Sequence, residues 1–210
     1  MSLHGQGSYP VEVTAAHHLR EWVEGRADGG LDAVGLDLRG VDLSGGDFSE
    51  SWFTEAQLAG CKLVGAELYR SDAQGADLTA ADLTGASLVR VHLDEAVLRG
   101  AVLDGADLTK ASLCGVDASG ASFCGTRFMG ASLLGVNLCG ADLTDAVLRE
   151  NSFRVTLDES TVVRGLTGSV FGPVEVVGVG RIGGDTLARW IRDRGGEVSV
   201  LGSCGSGPQD

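Results

Sequence analysis

From Leu38 to Phe153 a bulky apolar residue returns every five positions, and only Ala73 and Ala118 fall short of its size. Two residues ahead of each centre sits a small or apolar residue, most often Ala. Two residues after it sits Gly, at fourteen of twenty-four positions. A period of five fits neither the helical 3.6 nor the strand 2.0. Within each five, however, the small residue and the centre are two apart, as on one face of a strand. The next two residues must reset the phase, which a turn does, and Gly supplies the backbone freedom for it. Each pentapeptide therefore reads as one short side and one corner, with two side chains inward.

Four of these units, Ala76-Asp77-Leu78-Thr79, Ala81-Asp82-Leu83-Thr84, Ala106-Asp107-Leu108-Thr109 and Ala141-Asp142-Leu143-Thr144, carry a further regularity. They resemble the Ala-(Asp/Asn)-Leu-x-x motif of the pentapeptide-repeat proteins. The resemblance covers Leu36 to Val155 in twenty-four tandem copies. It implies an all-β solenoid, a right-handed quadrilateral parallel β-helix with four repeats per coil. About six coils at ~4.8 Å each give a rod ~29 Å long. Side chains twenty apart then stack into inner columns. One is Leu38, Leu58, Leu78, Leu98, Ala118, Leu138; another is Phe48, Leu68, Leu88, Leu108, Phe128, Leu148. A one-residue slip would expose that core, which fixes the register.

The same arithmetic maps the outside. The second face carries Asp42, Asp82, Asp104, Asp142 and Asp145 against Lys62 alone. The fourth carries Glu55, Asp72, Asp94 and Glu95 against Arg154. The third is balanced; its Arg70, Arg90 and Lys110 stack in adjacent coils, and Glu67 and Asp107 are expected to interleave with them. Trp52, Tyr69, Val89, Val97, Val102, Met129, Leu134 and Val147 point outward.

Outside the repeat the pattern changes. Residues 1–13 read as a disordered N-terminus, and 14–35 as a helical cap with Thr14 as N-cap and a helix to Glu24. Terminal coils of solenoids need such caps. After Phe153 the beat fails, with Leu157 out of phase. Residues 156–202 form a small α/β appendage, strand–helix–strand, that caps the rod or dimerises it. Residues 203–210 read as a flexible tail.

Composition narrows the function. The 210 residues carry a net charge of −13, with −8 of it between 36 and 155. A field of that sign repels nucleic acid and anionic membrane and favours basic protein partners. Pro10, Pro173 and Pro208 all lie outside the repeat, as a hydrogen-bonded ladder requires. There is no secretory signal pattern and no membrane-length apolar run. Cys61, Cys114, Cys124, Cys139 and Cys204 have no paired short spacing and read as reduced thiols of a cytoplasmic protein.

Candidate chemistry is thin. Gly178-Val179-Gly180-Arg181-Ile182-Gly183 follows a strand signal and precedes a helix, the setting of a pyrophosphate cradle. The acid expected about twenty residues on is missing, so the motif reads as a Gly-rich turn into a capping helix. His92 stacks over Asp72 with Asp94 nearby, and reads as an exposed ion pair. Cys114, Cys124 and Cys139 fall on three faces and cannot share a metal. Asn151 replaces Ala at an inward position, where it satisfies backbone. No catalytic set, cofactor or metal is expected, and a filled rod leaves no cavity for a substrate.

The resemblance adds a specific partner. Some pentapeptide-repeat proteins mimic DNA, bind bacterial DNA gyrase or topoisomerase IV, and confer resistance to quinolones or gyrase poisons. On that reading Asp42, Asp82, Asp104, Asp142 and Asp145 are the partner-binding residues, backed by Asp72, Asp94 and Glu95. The balanced third face and the absence of inserted loops count against it. The alternative is a scaffold or adaptor, with a homodimer through the C-terminal segment left open.

Overall fold

Every fifth residue from Gly35 to Glu150 has positive φ, whether Gly or one of nine others such as Arg70, Ala80 and Asp145. This bends the chain after each centre. The Leu78 carbonyl accepts from the Ala81 N–H at 3.0 Å, and equivalent bonds recur along the repeat. Positive φ at the third residue of such a turn makes it type II. The computed structural model, which describes Leu19, Trp22 and residues 29–201, thus passes four corners in every twenty residues. The result is a β-helical solenoid.

Parallel bridges twenty residues apart join the coils, from Asp32↔Trp52 to Asp142↔Val162. Within a repeat the Asp77 N–H donates to the Ala56 carbonyl at 2.9 Å, and the Leu78 N–H to the Val97 carbonyl at 2.8 Å. Regular strands emerge later: β1 (Arg127–Met129), β2 (Ser132–Asn137) and β3 (Val147–Leu157), with β1 and β2 parallel to β3.

The ladder is longer than the sequence beat at both ends. Leu31–Gly35 already forms a side: Leu31 and Ala33 are buried, and the Ala33 N–H donates to the Trp52 carbonyl at 2.7 Å. Beyond Phe153 the beat slips and recovers. Pairing runs from Leu134↔Arg154 to Asn137↔Thr156, one residue short, then returns to Asp142↔Val162. A four-residue repeat, Asn151–Arg154, is followed by a six-residue one, Val155–Ser160. The Asp158 carboxylate closes the longer one, accepting from the N–H groups of Ser160 (3.0 Å) and Thr161 (2.9 Å). Leu157, out of phase in the sequence, is therefore inward and fully buried. Coils begin at 31, 51, 71, 91, 111, 131 and 151, seven in place of the expected six, for a length of ~34 Å.

One apolar core runs from Leu31 to Val198. All twenty-four repeat centres are buried, the most exposed being Leu43 at 6%. Bulk is balanced locally: Phe123 and Phe128, 5.4 Å apart between ring centroids, share a coil with the small centre Ala118. Phe53 lies one coil below the other small centre, Ala73. Phe48 also explains Gly46, since a Cβ there would run into its ring. Trp22 stacks on Phe48 at 5.1 Å, and Leu19 and Trp22, both on helical backbone, pack against the core. The rest of the Thr14–Glu24 helix, and the ends 1–13 and 203–210, lie outside the described residues.

At the other end β4 (Thr167–Phe171) completes the seventh coil against β3. β5 (Val174–Val176) runs parallel to the end of β3 and turns back into β6 (Gly180–Ile182), an outer antiparallel strand. Helix α1 (Gly184–Arg192) buries Leu187 and Ile191, one turn apart on one face. Asp185 in its first turn and Arg189 and Arg192 in its last suit the helix dipole. β7 (Glu197–Leu201) then pairs in parallel with β4, one layer beyond the last coil. The segment after Phe171 thus packs over the end of the rod as part of the same core.

Candidate functional site

The motif Asp precedes each centre and points outward, but its carboxylate is tied to its own turn. Asp82 Oδ1 accepts from the Thr84 N–H at 3.0 Å and the Thr84 hydroxyl at 2.6 Å. Asp42 accepts from the Ser44 N–H (3.1 Å), Asp72 from Gln74 (3.0 Å) and Asp142 from Thr144 (2.8 Å). These are Asx turns, in which a short carboxylate side chain bonds the backbone two residues on. At Ser112 and Ser122, two of the positions where Ser replaces the Asp, a carboxylate from the coil below takes over. Asp94 Oδ1 accepts from the Ser112 hydroxyl and the Cys114 N–H (2.8 Å); Asp104 Oδ1 does the same for Ser122 and Cys124 (3.0 Å). Asp145 and Glu95 sit exposed at corners with positive φ.

The second face is thereby built as a row. Asp42, Lys62, Asp82, Val102, Ser122, Asp142 and Val162 bridge in succession, with Asp104 and Asp145 beside it. The recovered seventh coil adds a cation that sequence reading missed: the Arg164 carbonyl accepts from the Asp145 N–H at 2.9 Å, so Arg164 follows Thr144 in its column. Its charge helps lower the Asp142 pKa. The acidic row therefore meets one cation at its C-terminal end. Had Thr161-Val162-Val163-Arg164-Gly165 been recognised as a repeat, Arg164 was legible.

Asp72, His92 and Ser112 stack on the fourth face, the residue types of a hydrolytic triad. Their geometry is wrong for one. The Ser112 hydroxyl is committed to Asp94, and among the described residues no hydrogen bond joins His92 to Ser112 or Asp72. On the third face Asp107 pairs with Arg127 at 2.9 Å instead of interleaving with Arg90 and Lys110, because Arg127 stands directly over it in the ladder. Arg70 lies over its neighbour Tyr69, 5.2 Å from the ring centroid.

Hydrogen bonds hold several of these carboxyls below the usual range. The Arg39 side chain, bonding at 2.8 and 2.6 Å, takes Asp37 to about 2. Bonds from Ser44 lower Asp42 and bonds from Ser49 lower Asp47. For Asp142 burial acts upward, but bonds from Thr144 outweigh it and the net shift is downward. A pKa lower in the folded state contributes stability above the unfolded value, about 3.9, and loses it as pH falls through the folded value. The melting temperature should hold above pH 5 and fall below about pH 4, continuing toward the Asp37 value. Replacing Asp37, Asp42 and Asp47 with Asn keeps an acceptor and removes the titration, so the acid limb should flatten. Superimposable limbs in pH-dependent melts would contradict this.

The Gly-x-Gly-x-x-Gly motif does not form a phosphate cradle. Gly178 lies in the β5–β6 hairpin turn, closed by the Val179 N–H donating to the Val176 carbonyl at 3.0 Å. Gly180 to Ile182 is strand and only Gly183, the N-cap, reaches the N-terminus of α1, so the three glycines do not together line one strand-to-helix turn. Cys61 is fully buried, and burial pushes its thiol up to about 12. Cys114, Cys124 and Cys139 are half-buried on separate faces, and among the described residues no group of three ligands is placed for a metal. Asn151 donates through Nδ2 to the Ala131 carbonyl at 3.1 Å; its buried Oδ1 has no partner. No described helix is long and apolar enough to cross a membrane.

Comparison with known proteins agrees with this architecture. The family model for pentapeptide repeats matches in eight copies, over residues 51–88, 76–115 and 106–145. HetL, a pentapeptide repeat protein involved in heterocyst differentiation regulation in Nostoc sp. strain PCC 7120, is 27% identical. The match covers 74% of this chain and 71% of that one, with a TM-score of 0.52. A second pentapeptide repeat protein from Nostoc PCC 7120 is 34% identical over 46% of this chain and 78% of its own, with a TM-score of 0.40. QnrB1, a plasmid-mediated fluoroquinolone resistance protein, is 18% identical over 68% of this chain and 78% of its own, at a TM-score of 0.33. That last likeness is too low to bear on function. No curated protein matches the chain in sequence.

Proposed function

This chain belongs to the pentapeptide-repeat family, and from that membership we propose that it is a non-catalytic, cytoplasmic interaction module. Its most specific partner is DNA gyrase or topoisomerase IV, engaged by the acidic second face of a right-handed, four-sided rod acting as a DNA mimic. One observation carries the reading: the carboxylates of Asp82, Asp104 and Asp142 are already fixed by hydrogen bonds to backbone N–H groups. Docking them in a basic channel therefore costs little side-chain entropy, and the net charge of −13 speeds encounter. Asp42 extends the row, Asp145 lies at the end where Arg164 adds a cation, and Asp72, Asp94 and Glu95 form a secondary acidic face. The test is a supercoiling assay with gyrase, relaxed plasmid and purified protein. Inhibition, or rescue from a quinolone, is the expected result. Neither effect at low ionic strength would contradict the gyrase reading and leave a scaffold role. Exposed Trp52 (49%), Tyr69 (37%) and Leu134 (38%) favour that second reading as apolar contacts for a different protein.

A further inference from the structure

A regular coil of this rod is flat outside and filled inside. The irregular stretch where the beat slips is different. Beside the Asn151–Arg154 and Val155–Ser160 repeats, the β5–β6 hairpin leaves an open cleft of about 200 Å³. Arg154, Thr156, Glu175 and Arg181 line it, over Pro173 and Val174.

Strand register explains the arrangement. Thr156 is paired with Glu175 across β3 and β5, and Glu175 with Arg181 across β5 and β6. Paired residues share one face of a sheet, and Arg154, two residues before Thr156, shares it too. Val155, Leu157, Val174 and Val176 are buried on the opposite face. Two guanidinium groups therefore flank a hydroxyl and a carboxylate. Among the described residues the side chains of Arg154, Glu175 and Arg181 form no ion pair. Such a grouping is unusual in a chain of net charge −13, and it coincides with the break in the beat. Arg154 is also the only cation in its column, after Thr54, Gln74, Asp94, Cys114 and Leu134.

We propose that this cleft binds a small oxyanion that also carries a hydroxyl or amino group. Guanidinium forks take phosphate or carboxylate through paired N–H donors, and the Thr156 hydroxyl adds a third donor. Glu175 repels a bare dianion but accepts from a donor on the ligand, so it selects for the second group. The cleft is below the ~300–1,000 Å³ of drug-sized sites, which fits a compact ligand. The site is independent of the second face and of gyrase.

Titration calorimetry on the full chain at low ionic strength tests it. Glycerol 3-phosphate probes a phosphate source and L-malate a carboxylate source. One of them should bind saturably, one to one, and more tightly than inorganic phosphate or succinate, which lack the hydroxyl. Arg154→Ala and Arg181→Ala should each weaken binding about tenfold or more, the loss of one charge-assisted contact. Arg154→Lys and Arg181→Lys, which keep charge and stem, should lose most of that affinity as well. Glu175→Gln should erase the preference over inorganic phosphate or succinate. Arg90→Ala, on a distant corner, should change nothing. No saturable binding of either probe, binding unaltered in Arg154→Ala and in Arg181→Ala, or equal loss in Arg90→Ala would overturn the proposal.

Discussion

Leu98→Asp abolishes the cooperative thermal transition, whereas Asp82→Ala leaves the protein folded with a modestly lower Tm. Leu98 is fully buried in an inner column between Leu78 and Ala118. A carboxylate there is unpaired or must take a proton, and either costs several kcal/mol. That is comparable with a whole domain's stability of about 5–15 kcal/mol. Asp82 is half-buried, and its loss leaves the Thr84 N–H and hydroxyl without their acceptor. That costs about 0.5–1.5 kcal/mol. Melts followed by circular dichroism separate the two; equal losses would show that inward and outward positions have been exchanged.

Gly168→Ala should destabilise the C-terminal end far more than Gly40→Ala destabilises the N-terminal coil. Both residues have positive φ, +119° and +67°. At Gly40 a Cβ meets open space, so the change costs about 1–2 kcal/mol of left-handed backbone strain. At Gly168, paired with Leu148, a Cβ would overlap the Leu148 carbonyl. The β3–β4 ladder must part there, a backbone clash that belongs with losses above about 4 kcal/mol. Denaturant midpoints give the ranking, and hydrogen exchange at residues 167–171 should rise selectively. Equal midpoints for the two variants would mean that β4 does not stack on β3 as described.

The regular part of this fold was legible because its signal is redundant. Each of the centres from Leu38 to Phe153 votes for the same register, and a slip would expose them together. Leu31-Asp32-Ala33-Val34-Gly35 was missed because its centre is Ala and it adjoins a Gly pair. The seventh coil was missed because one short and one long repeat cancel: Leu157 breaks the beat, and the Asp158–Thr161 turn restores it. Of the acidic site, the rows were legible from twenty-residue stacking. What the carboxylates bond to was not, since an Asp held by a backbone N–H and one that swings freely look alike in sequence. The exchange by which Asp94 and Asp104 serve Ser112 and Ser122 needs contacts between coils. For Gly178–Gly183 the missing acid argued for a turn, but its form was not legible: a hairpin and a cradle share the same glycines and differ in where the strand resumes.

The most direct test of the DNA-mimic reading is the association rate of the protein with gyrase as a function of salt. Asp82→Asn, Asp104→Asn and Asp142→Asn together keep an acceptor for each turn and remove three charges from one face. Exposed interface charges act mainly through association rate and its screening by salt. The triple variant should fold as the parent does, associate more slowly, and show a shallower salt dependence. Glu67→Gln with Asp107→Asn, on the balanced third face, should change the rate less. A triple variant that associates at the parental rate across the salt range would contradict a role for the second face in docking.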